Sequence, residues 1–180
     1  HFAVVYINKI KYSLAHKFIL PDHALIDPNF SISTPRYLKA VTGIDAFAQS
    51  IESYWSIHST EESERYSLES IEILWHHLYD SVINNSMYAN EKIAKASHLA
   101  GKAINIAKTT GPHALSYALT SKFNLSHGHA VAITLPGFLK YHLESYKTNL
   151  CDSRGEDYFY TKMQKLCSIC SIVDSASGYL

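Results

Sequence analysis

The chain has 180 residues, and 47% of them are hydrophobic, enough for one domain with a packed core, or for one domain and a piece of another. Its 16 basic residues balance 16 acidic ones, which argues against nucleic acid or an anionic membrane surface as a partner. No apolar run approaches the roughly 20 residues of a membrane-spanning helix, and no signal peptide is visible. Cys151, Cys167 and Cys170 are odd in number, which favours free thiols. We therefore expect a cytoplasmic protein.

The first part of the chain differs from the rest. Two short runs rich in strand-forming residues, 2–7 and 23–26, are bounded by Asn8, Pro21-Asp22 and Asp27-Pro28. We expect residues 1–34 to be the end of an α/β domain and residues 35–180 to form a helical domain that is incomplete at its C-terminus. The predicted fold class is therefore mainly α, preceded by a short β remnant.

From Pro35 onward the pattern is helical. Ser33-Thr34 is expected to cap a first helix that ends near Trp55. Ser59-x-x-Glu62 resembles a capping box that opens a second helix, and Asn90 is expected to cap a third that ends near Lys108. The remaining predicted helices are one that Pro112 begins, a following one with His127 near its start, and one over 156–170.

The polar residues with the clearest chemistry lie on three of these helices. Asp45 and Gln49 are spaced i and i+4 on one helix face, and His113 and His127 lie on two successive helices. One carboxylate and two imidazoles on rigid elements suit an intermediate divalent metal with a coordination position left for substrate. Taken singly, each residue also fits a plainer role, because Asp45 and Gln49 could form a solvated polar face and the histidines could lie at helix starts.

Taken together, these segments resemble a known family. The stretch TGIDAFAQSIE, from Thr42 to Glu52, is similar to the first metal motif of the iron-containing (group III) alcohol dehydrogenases. His113 and the later string HGHA, which starts at His127, resemble the second motif, and residues 100–105 resemble the helix between them. The resemblance covers residues 2 to about 145 and implies a dehydroquinate synthase-like fold, whose nucleotide-binding domain would end in residues 1–34.

The resemblance also implies roles for individual residues. Asp45, His113 and His127 match the family's metal ligands, whereas Gln49 stands where most members have a histidine as fourth ligand. An amide oxygen is a poorer donor than imidazole to Fe²⁺ or Zn²⁺. Tyr117 occupies a position where several members carry a second histidine that helps proton transfer. The remaining matches are two contacts to the nicotinamide cofactor, Lys11 and Leu38.

The function that the resemblance implies is a metal-dependent alcohol dehydrogenase or aldehyde reductase that uses NAD(H) or NADP(H), with a small alcohol or aldehyde as substrate and a homodimer as the expected assembly. The string from His113 to Ser121, with the replacement at Gln49, resembles the branch that includes phosphonoacetaldehyde reductases. An anion pocket for a phosphonate could come from basic and hydroxyl residues beside the start of the His113 helix, Lys102, Lys108, Thr109 and Thr110.

Three alternatives remain open at this point: a dehydroquinate synthase-like lyase, a glycerol dehydrogenase-like enzyme, or a fragment that only binds metal. The lyase would need a glutamate where Asp45 stands, together with substrate-binding lysines and arginines that the sequence does not display.

Overall fold

The computed structural model describes residues 2–8 and 10–172. The chain opens with strands β1 (Phe2–Ile7) and β2 (Ile10–Ala15), which pair antiparallel from Phe2 opposite Ala15 to Ile7 opposite Ile10. Asn8, next to the turn, has a φ of 51°. Asparagine tolerates this left-handed conformation, which the favoured tight hairpin turns require. The expected short β element is therefore a hairpin.

The second strand predicted from the sequence, over residues 23–26, is wrong. That segment has no regular structure and leaves Leu25 97% exposed, and it is flanked by 3-10 turns at Lys17–Ile19 and Pro28–Ser31. A strand is stabilised by a neighbour that pairs with it, and in this hairpin the partner of β1 is β2, which follows it directly. Apolar residues alone do not form a strand.

Six α-helices follow in the described part of the chain, as the mainly helical fold class predicts. None of these helices is long and apolar enough to span a membrane. The division into 1–34 and 35–180 stays a prediction. The helices are α1 (Arg36–Trp55), α2 (Glu61–Ile83), α3 (Met87–Ala107), α4 (Gly111–Phe123), α5 (His127–Asn149) and α6 (Glu156–Ile169).

The start of α1 differs in detail from the prediction, although its end at Trp55 agrees. Pro35 directly precedes the first turn, and no side chain makes a capping hydrogen bond there, so the predicted cap by Ser33-Thr34 is wrong. Proline fixes its own φ near the value that a helix start needs, and its carbonyl accepts from the amide of Lys39 at 2.9 Å.

The start of α2 lies one residue beyond the predicted Ser59-x-x-Glu62 box. Thr60 is the capping residue: its hydroxyl accepts from the amide of Ser63 at 3.3 Å, and the hydroxyl of Ser63 accepts from the amide of Thr60 at 2.9 Å. The Ser59 hydroxyl instead donates to Glu64 at 2.8 Å. The capping box exists, but Thr60 and Ser63 form it instead of Ser59 and Glu62.

The start of α3 also differs, since Ser86 rather than Asn90 caps this helix. The Ser86 hydroxyl accepts from the amide of Ala89 at 3.4 Å. Asn90 is buried inside the helix, where its side-chain oxygen accepts from Lys39 Nζ at 3.2 Å and from the Ser81 hydroxyl at 2.7 Å. The amide oxygen thus serves a buried ammonium group, which would be costly to leave without acceptors.

The core surrounds α1, which packs against α2, α3 and α5. One apolar cluster joins α1 to α5 and α6, and a second joins α1 to α2 and α3. Because both clusters bury parts of α1, this helix has little freedom to shift and offers a fixed support for the side chains it carries. Cys167 and Cys170 are buried and Cys151 is exposed, and none of the three forms a disulfide, as expected.

An ion-pair network holds the segment before α6 against the connection between α1 and α2. Arg154 Nη2 lies 2.6 Å from Asp152 Oδ2 and donates to the carbonyl of Ser56 at 2.9 Å. Lys162 Nζ lies 2.8 Å from Glu64 Oε1. Because the Asp152 side chain is only 3% exposed, its charge depends on these partners.

We expect Asp152→Asn to reduce stability at neutral pH and to reduce it much less in acid. Hydrogen bonds from Arg154 hold the pKa of Asp152 below its ordinary value. A lowered folded-state pKa contributes stability above the ordinary pKa, and that stability is lost as the pH falls through the lowered one. The expected loss at pH 7 is about 1.5–3 kcal/mol, the range for hydrogen bonds to charged groups. Urea unfolding at pH 7 and pH 3 measures it.

The matched control is Asp157→Asn, at an exposed position in the first turn of α6. It should cost less than about 1 kcal/mol, since only a helix-dipole interaction is lost. If Asp152→Asn lowers the free energy of unfolding equally at both pH values, the role assigned to the Asp152 charge is contradicted.

Candidate metal centre

Three polar side chains from three different helices converge at one point: Asp45 from α1, His113 from α4 and His127 from α5. Asp45 Oδ1 lies 3.4 Å from His113 Nε2 and 3.5 Å from His127 Nε2. One potential ligand atom from each residue lies within 4.8 Å of the others. Donors at about 2.1 Å from a tetrahedral metal ion are about 3.4 Å apart, so the spacing suits such an ion. The three residues predicted from the sequence are therefore brought together.

A glycine makes this convergence possible. A Cβ atom on Gly128, the residue after His127, would lie 1.9 Å from the carbonyl oxygen of Val41 and 3.2 Å from Cβ of Asp45. Only a residue without a side chain lets the start of α5 come this close to α1. The sequence HG at the start of α5 thus combines a ligand with the close approach that places it beside Asp45.

The site is closed on one side and open on the other. The His113 side chain is 5% exposed, whereas that of His127 is 40% exposed and that of Asp45 is 21% exposed. A small molecule can therefore approach the three side chains past His127. A centre with an open position is the arrangement that catalytic, rather than structural, metal sites use.

Two buried atoms of the site lack partners. Asp45 Oδ1 and His113 Nε2 are both inaccessible to solvent, and neither has a hydrogen-bond partner among the described residues. Buried polar atoms are almost always paired, because an unpaired one costs free energy. A carboxylate oxygen and an imidazole lone pair that face each other need a cation between them, either a proton or a metal ion. The residues present therefore fit a divalent ion.

The other ring nitrogen of His113 contacts Glu52, a residue to which the sequence analysis assigned no role. Glu52 Oε1 contacts His113 Nδ1, and Glu52 Oε2 accepts from the amide of Thr110 at 2.6 Å. A signal for Glu52 was present in the sequence. Asp45, Gln49 and Glu52 are spaced i, i+4 and i+7, which places all three on one face of α1.

The two carboxylates around His113 determine its charge in the absence of metal. Burial lowers the pKa of His113, but the neighbouring carboxylates of Asp45 and Glu52 outweigh it and raise the pKa to about 9. A metal ion at this position would replace the proton, because imidazole binds metals in its deprotonated form.

Gln49 lies against the second oxygen of the Asp45 carboxylate. Its side-chain amide donates to Asp45 Oδ2 at 2.7 Å and so orients the carboxylate with Oδ1 towards the histidines. A ligand role for the amide oxygen of Gln49 stays a prediction.

Three further residues were predicted to take part in catalysis or in cofactor binding. The ring of Tyr117 stacks on that of His127, with centroids 5.9 Å apart and planes at 11°. Leu38 is in the first turn of α1 and is 47% exposed. Lys11 is in β2, and its side chain lies outside what the structure describes. The cofactor contacts of Leu38 and Lys11 and the catalytic role of Tyr117 stay predictions.

The anion pocket suggested at the start of α4 is not formed as predicted. The amide and hydroxyl of Thr110 both donate to the Glu52 carboxylate, at 2.6 and 3.1 Å. The ammonium group of Lys102 lies 3.9 Å from the centroid of the Tyr66 ring. A carboxylate from the protein itself thus takes the place that the prediction assigned to a phosphonate.

Comparison with known proteins assigns the chain to a family. Residues 39–175 match the model of the Fe-containing alcohol dehydrogenase family, C-terminal. The chain belongs to the iron-containing alcohol dehydrogenase family. The match includes most of α1 and all of α4 and α5, the helices that carry the three converging side chains.

Individual members of the iron-containing alcohol dehydrogenases support this. The chain is 32% identical over 158 residues to long-chain-alcohol dehydrogenase 1 of Geobacillus thermodenitrificans, covering 87% of this chain and 39% of that protein. It is 34% identical over 150 residues to a phosphonoacetaldehyde reductase of Streptomyces viridochromogenes, covering 82% of this chain and 38% of that protein. The chain thus spans well under half the length of these two relatives.

A solved structure also has the same fold as this chain. The crystal structure of a sulfoacetaldehyde reductase from Bifidobacterium kashiwanohense, in complex with NAD⁺, superimposes with a TM-score of 0.76 at 25% identity. The similarity covers 94% of this chain and 47% of that one. The chain is therefore related to dehydrogenases and reductases that are named for alcohols and aldehydes.

Proposed function

We propose that this chain forms the metal-binding part of an NAD(P)-linked alcohol dehydrogenase that works as an aldehyde reductase, with Asp45, His113 and His127 as the ligands of one divalent ion, Fe²⁺ or Zn²⁺. The observation that carries the proposal is the buried pair of unpartnered atoms, Asp45 Oδ1 and His113 Nε2, at 3.4 Å from each other. Within a family of metal-dependent oxidoreductases, a metal ion is the cation that best accounts for this pair.

When bound, the metal ion polarises the substrate carbonyl as a Lewis acid, and the reduced nicotinamide supplies the hydride. The protein's own residues would prepare the site for this. Asp45, His113 and His127 would hold the ion from three helices, and the open side next to His127 would admit the aldehyde. Gln49 would keep the Asp45 carboxylate oriented through its bond to Oδ2.

Proton delivery and cofactor binding depend on further residues, and their roles are also proposals. The phenol of Tyr117 would deliver a proton to the substrate oxygen as the carbonyl is reduced to the alcohol, a role supported by its stacking on His127 next to the open side of the site. Leu38 and Lys11 would contact the nicotinamide cofactor. Residues 1–34 would then be the end of the domain that binds it.

The finer proposal for substrate is phosphonoacetaldehyde. It rests on the similarity to the Streptomyces phosphonoacetaldehyde reductase, at 34% identity. Because Thr110 is engaged by Glu52, we assign the recognition of the phosphonate to groups other than the start of α4. An enzyme that pairs a phosphonate with charged donors gains about 1.5–3 kcal/mol for each such hydrogen bond, or roughly tenfold or more in affinity.

Steady-state kinetics tests both levels of the proposal, using the protein encoded by the complete reading frame that contains this chain. With NADH or NADPH, the metal-loaded enzyme should reduce aldehydes, should lose turnover after treatment with a chelator, and should regain it with Fe²⁺ or Zn²⁺. We expect kcat/KM for phosphonoacetaldehyde to exceed that for butanal by at least roughly tenfold. Equal values would refute the phosphonate proposal, and turnover that survives complete metal removal would refute the metal mechanism.

A further inference from the structure

Behind the metal centre lies a carboxylate that the proposed ligand set does not include. The Glu52 side chain is fully buried, with 0% exposure. Its Oε1 contacts His113 Nδ1, and its Oε2 accepts from the amide of Thr110 at 2.6 Å, from the Thr110 hydroxyl at 3.1 Å and from the amide of His113 at 3.4 Å. Removing a carboxylate from water is costly, so a buried one without a task would be unusual.

The contact with His113 determines which ring nitrogen carries the hydrogen. A carboxylate has no hydrogen to donate, so its contact with His113 requires the hydrogen on Nδ1. The lone pair of the neutral ring is then on Nε2, the atom that lies 3.4 Å from Asp45 Oδ1. Without an acceptor at Nδ1 the ring could adopt the other tautomer, with its hydrogen pointing into the metal position.

We propose that Glu52 is a positioning residue of the metal centre: it holds the His113 ring with Nε2 towards the ion and contributes charge that helps to neutralise it. This inference rests on the metal centre proposed above. Asp45 and Glu52 together carry two negative charges, which balance a divalent cation in a buried site. Hydrogen bonds from metal-bound histidines to carboxylates serve this purpose in many metal sites.

Glu52 also contacts Thr110, so a purely structural role in joining α1 to the start of α4 must be tested separately. Thr110→Val offers the matched control. It removes the hydroxyl that donates to Glu52 and accepts from Trp55 Nε1 at 2.9 Å, yet it leaves the pair between Glu52 and His113 in place. This variant disturbs the same cluster without changing the His113 tautomer.

The experiment titrates Zn²⁺ into the metal-free protein in competition with a chromophoric chelator, for the wild type, Glu52→Gln and Thr110→Val, and records the Tm of each metal-free form. Glutamine has one oxygen and one NH₂ group where Glu52 has two oxygens, and all the groups around it are hydrogen-bond donors from Thr110 and His113. The His113 ring therefore loses its acceptor or its orientation. We expect Glu52→Gln to raise the Kd for zinc by about 10–100-fold. Thr110→Val should lower the Tm and leave the Kd within about threefold of the wild type.

A second measurement does not depend on the variants folding. In the zinc-loaded wild-type protein with ¹⁵N-labelled histidine, NMR should show His113 protonated at Nδ1 and bound to zinc through Nε2. A Kd for Glu52→Gln equal to that of the wild type, or zinc bound through Nδ1, would overturn the role of Glu52 and leave the metal centre intact. If the wild type binds no zinc at all, the metal centre itself fails, and the role of Glu52 fails with it.

Discussion

Gly128→Ala is expected to destabilise the protein and to separate His127 from Asp45. The added Cβ would lie 1.9 Å from the carbonyl oxygen of Val41, and a backbone atom inside a helix cannot move away without shifting the helix. Overpacking of this kind costs about 1–3 kcal/mol, and occasionally more. If α5 moves away from α1 instead, the distance between the two ligands grows and zinc binding weakens at least roughly tenfold, as expected when a metal ligand is displaced.

Gly137→Ala is the matched control, because it lies in the same helix and a Cβ there would meet nothing within 4 Å. Alanine in an open helical position should stabilise the protein by up to about 1 kcal/mol. Urea unfolding and zinc titration of both variants measure the difference. If the two substitutions have the same effect on stability and on zinc affinity, the close approach of α5 to α1 is not what forms the site.

The double variant His113→Ala, His127→Ala is expected to abolish metal binding. It removes both imidazoles and leaves Asp45 as the only member of the proposed ligand set. Zinc sites owe on the order of 10 kcal/mol of binding free energy to their ligands, so losing two of them should weaken binding by more than about a thousandfold. Elemental analysis after dialysis against a chelator, with circular dichroism to verify folding, measures the outcome.

Two further variants make this result specific. His129→Ala should keep the metal, because His129 lies two residues after His127 and its Nδ1 contacts the hydroxyl of Tyr37 at 3.2 Å. Gln49→His adds an imidazole one turn after Asp45 and should tighten metal binding, since imidazole is the better donor. Stoichiometric metal in the double variant would disprove the proposed ligand set, however the other two behave.

Much of the candidate site could be predicted from the sequence, because its members belong to local patterns. The spacing of Asp45 and Gln49 places them on one helix face, and the break at Gly111-Pro112 marks the start of the helix that carries His113. The motif around His127 and its resemblance to a family indicated that these segments meet. The structure agrees, with Asp45 Oδ1 within 3.5 Å of a nitrogen of each histidine.

Other features depend on contacts between residues far apart in the chain, and a local pattern carries no information about them. Asn90 is a residue type that often caps a helix. Here it lies inside α3, where its side chain accepts a hydrogen bond from the buried ammonium group of Lys39, 51 positions away. The run at 23–26 has the composition of a strand, but the hairpin already pairs β1 with β2. In both cases tertiary packing outweighs a local preference worth about 1 kcal/mol.

The sequence by itself determined the kinds of ligand and the helices that carry them, because residue type and helical spacing are local properties. Only the tertiary structure decided that Glu52 lies behind His113 and that Gly128 allows α5 to reach α1. Both depend on the packing of helices whose contacting residues are separated by 61 positions in one case and by 87 in the other. The orientation of the His113 ring and the distance between His127 and Asp45 follow from that packing. The packing in turn results from burial of the apolar core around α1.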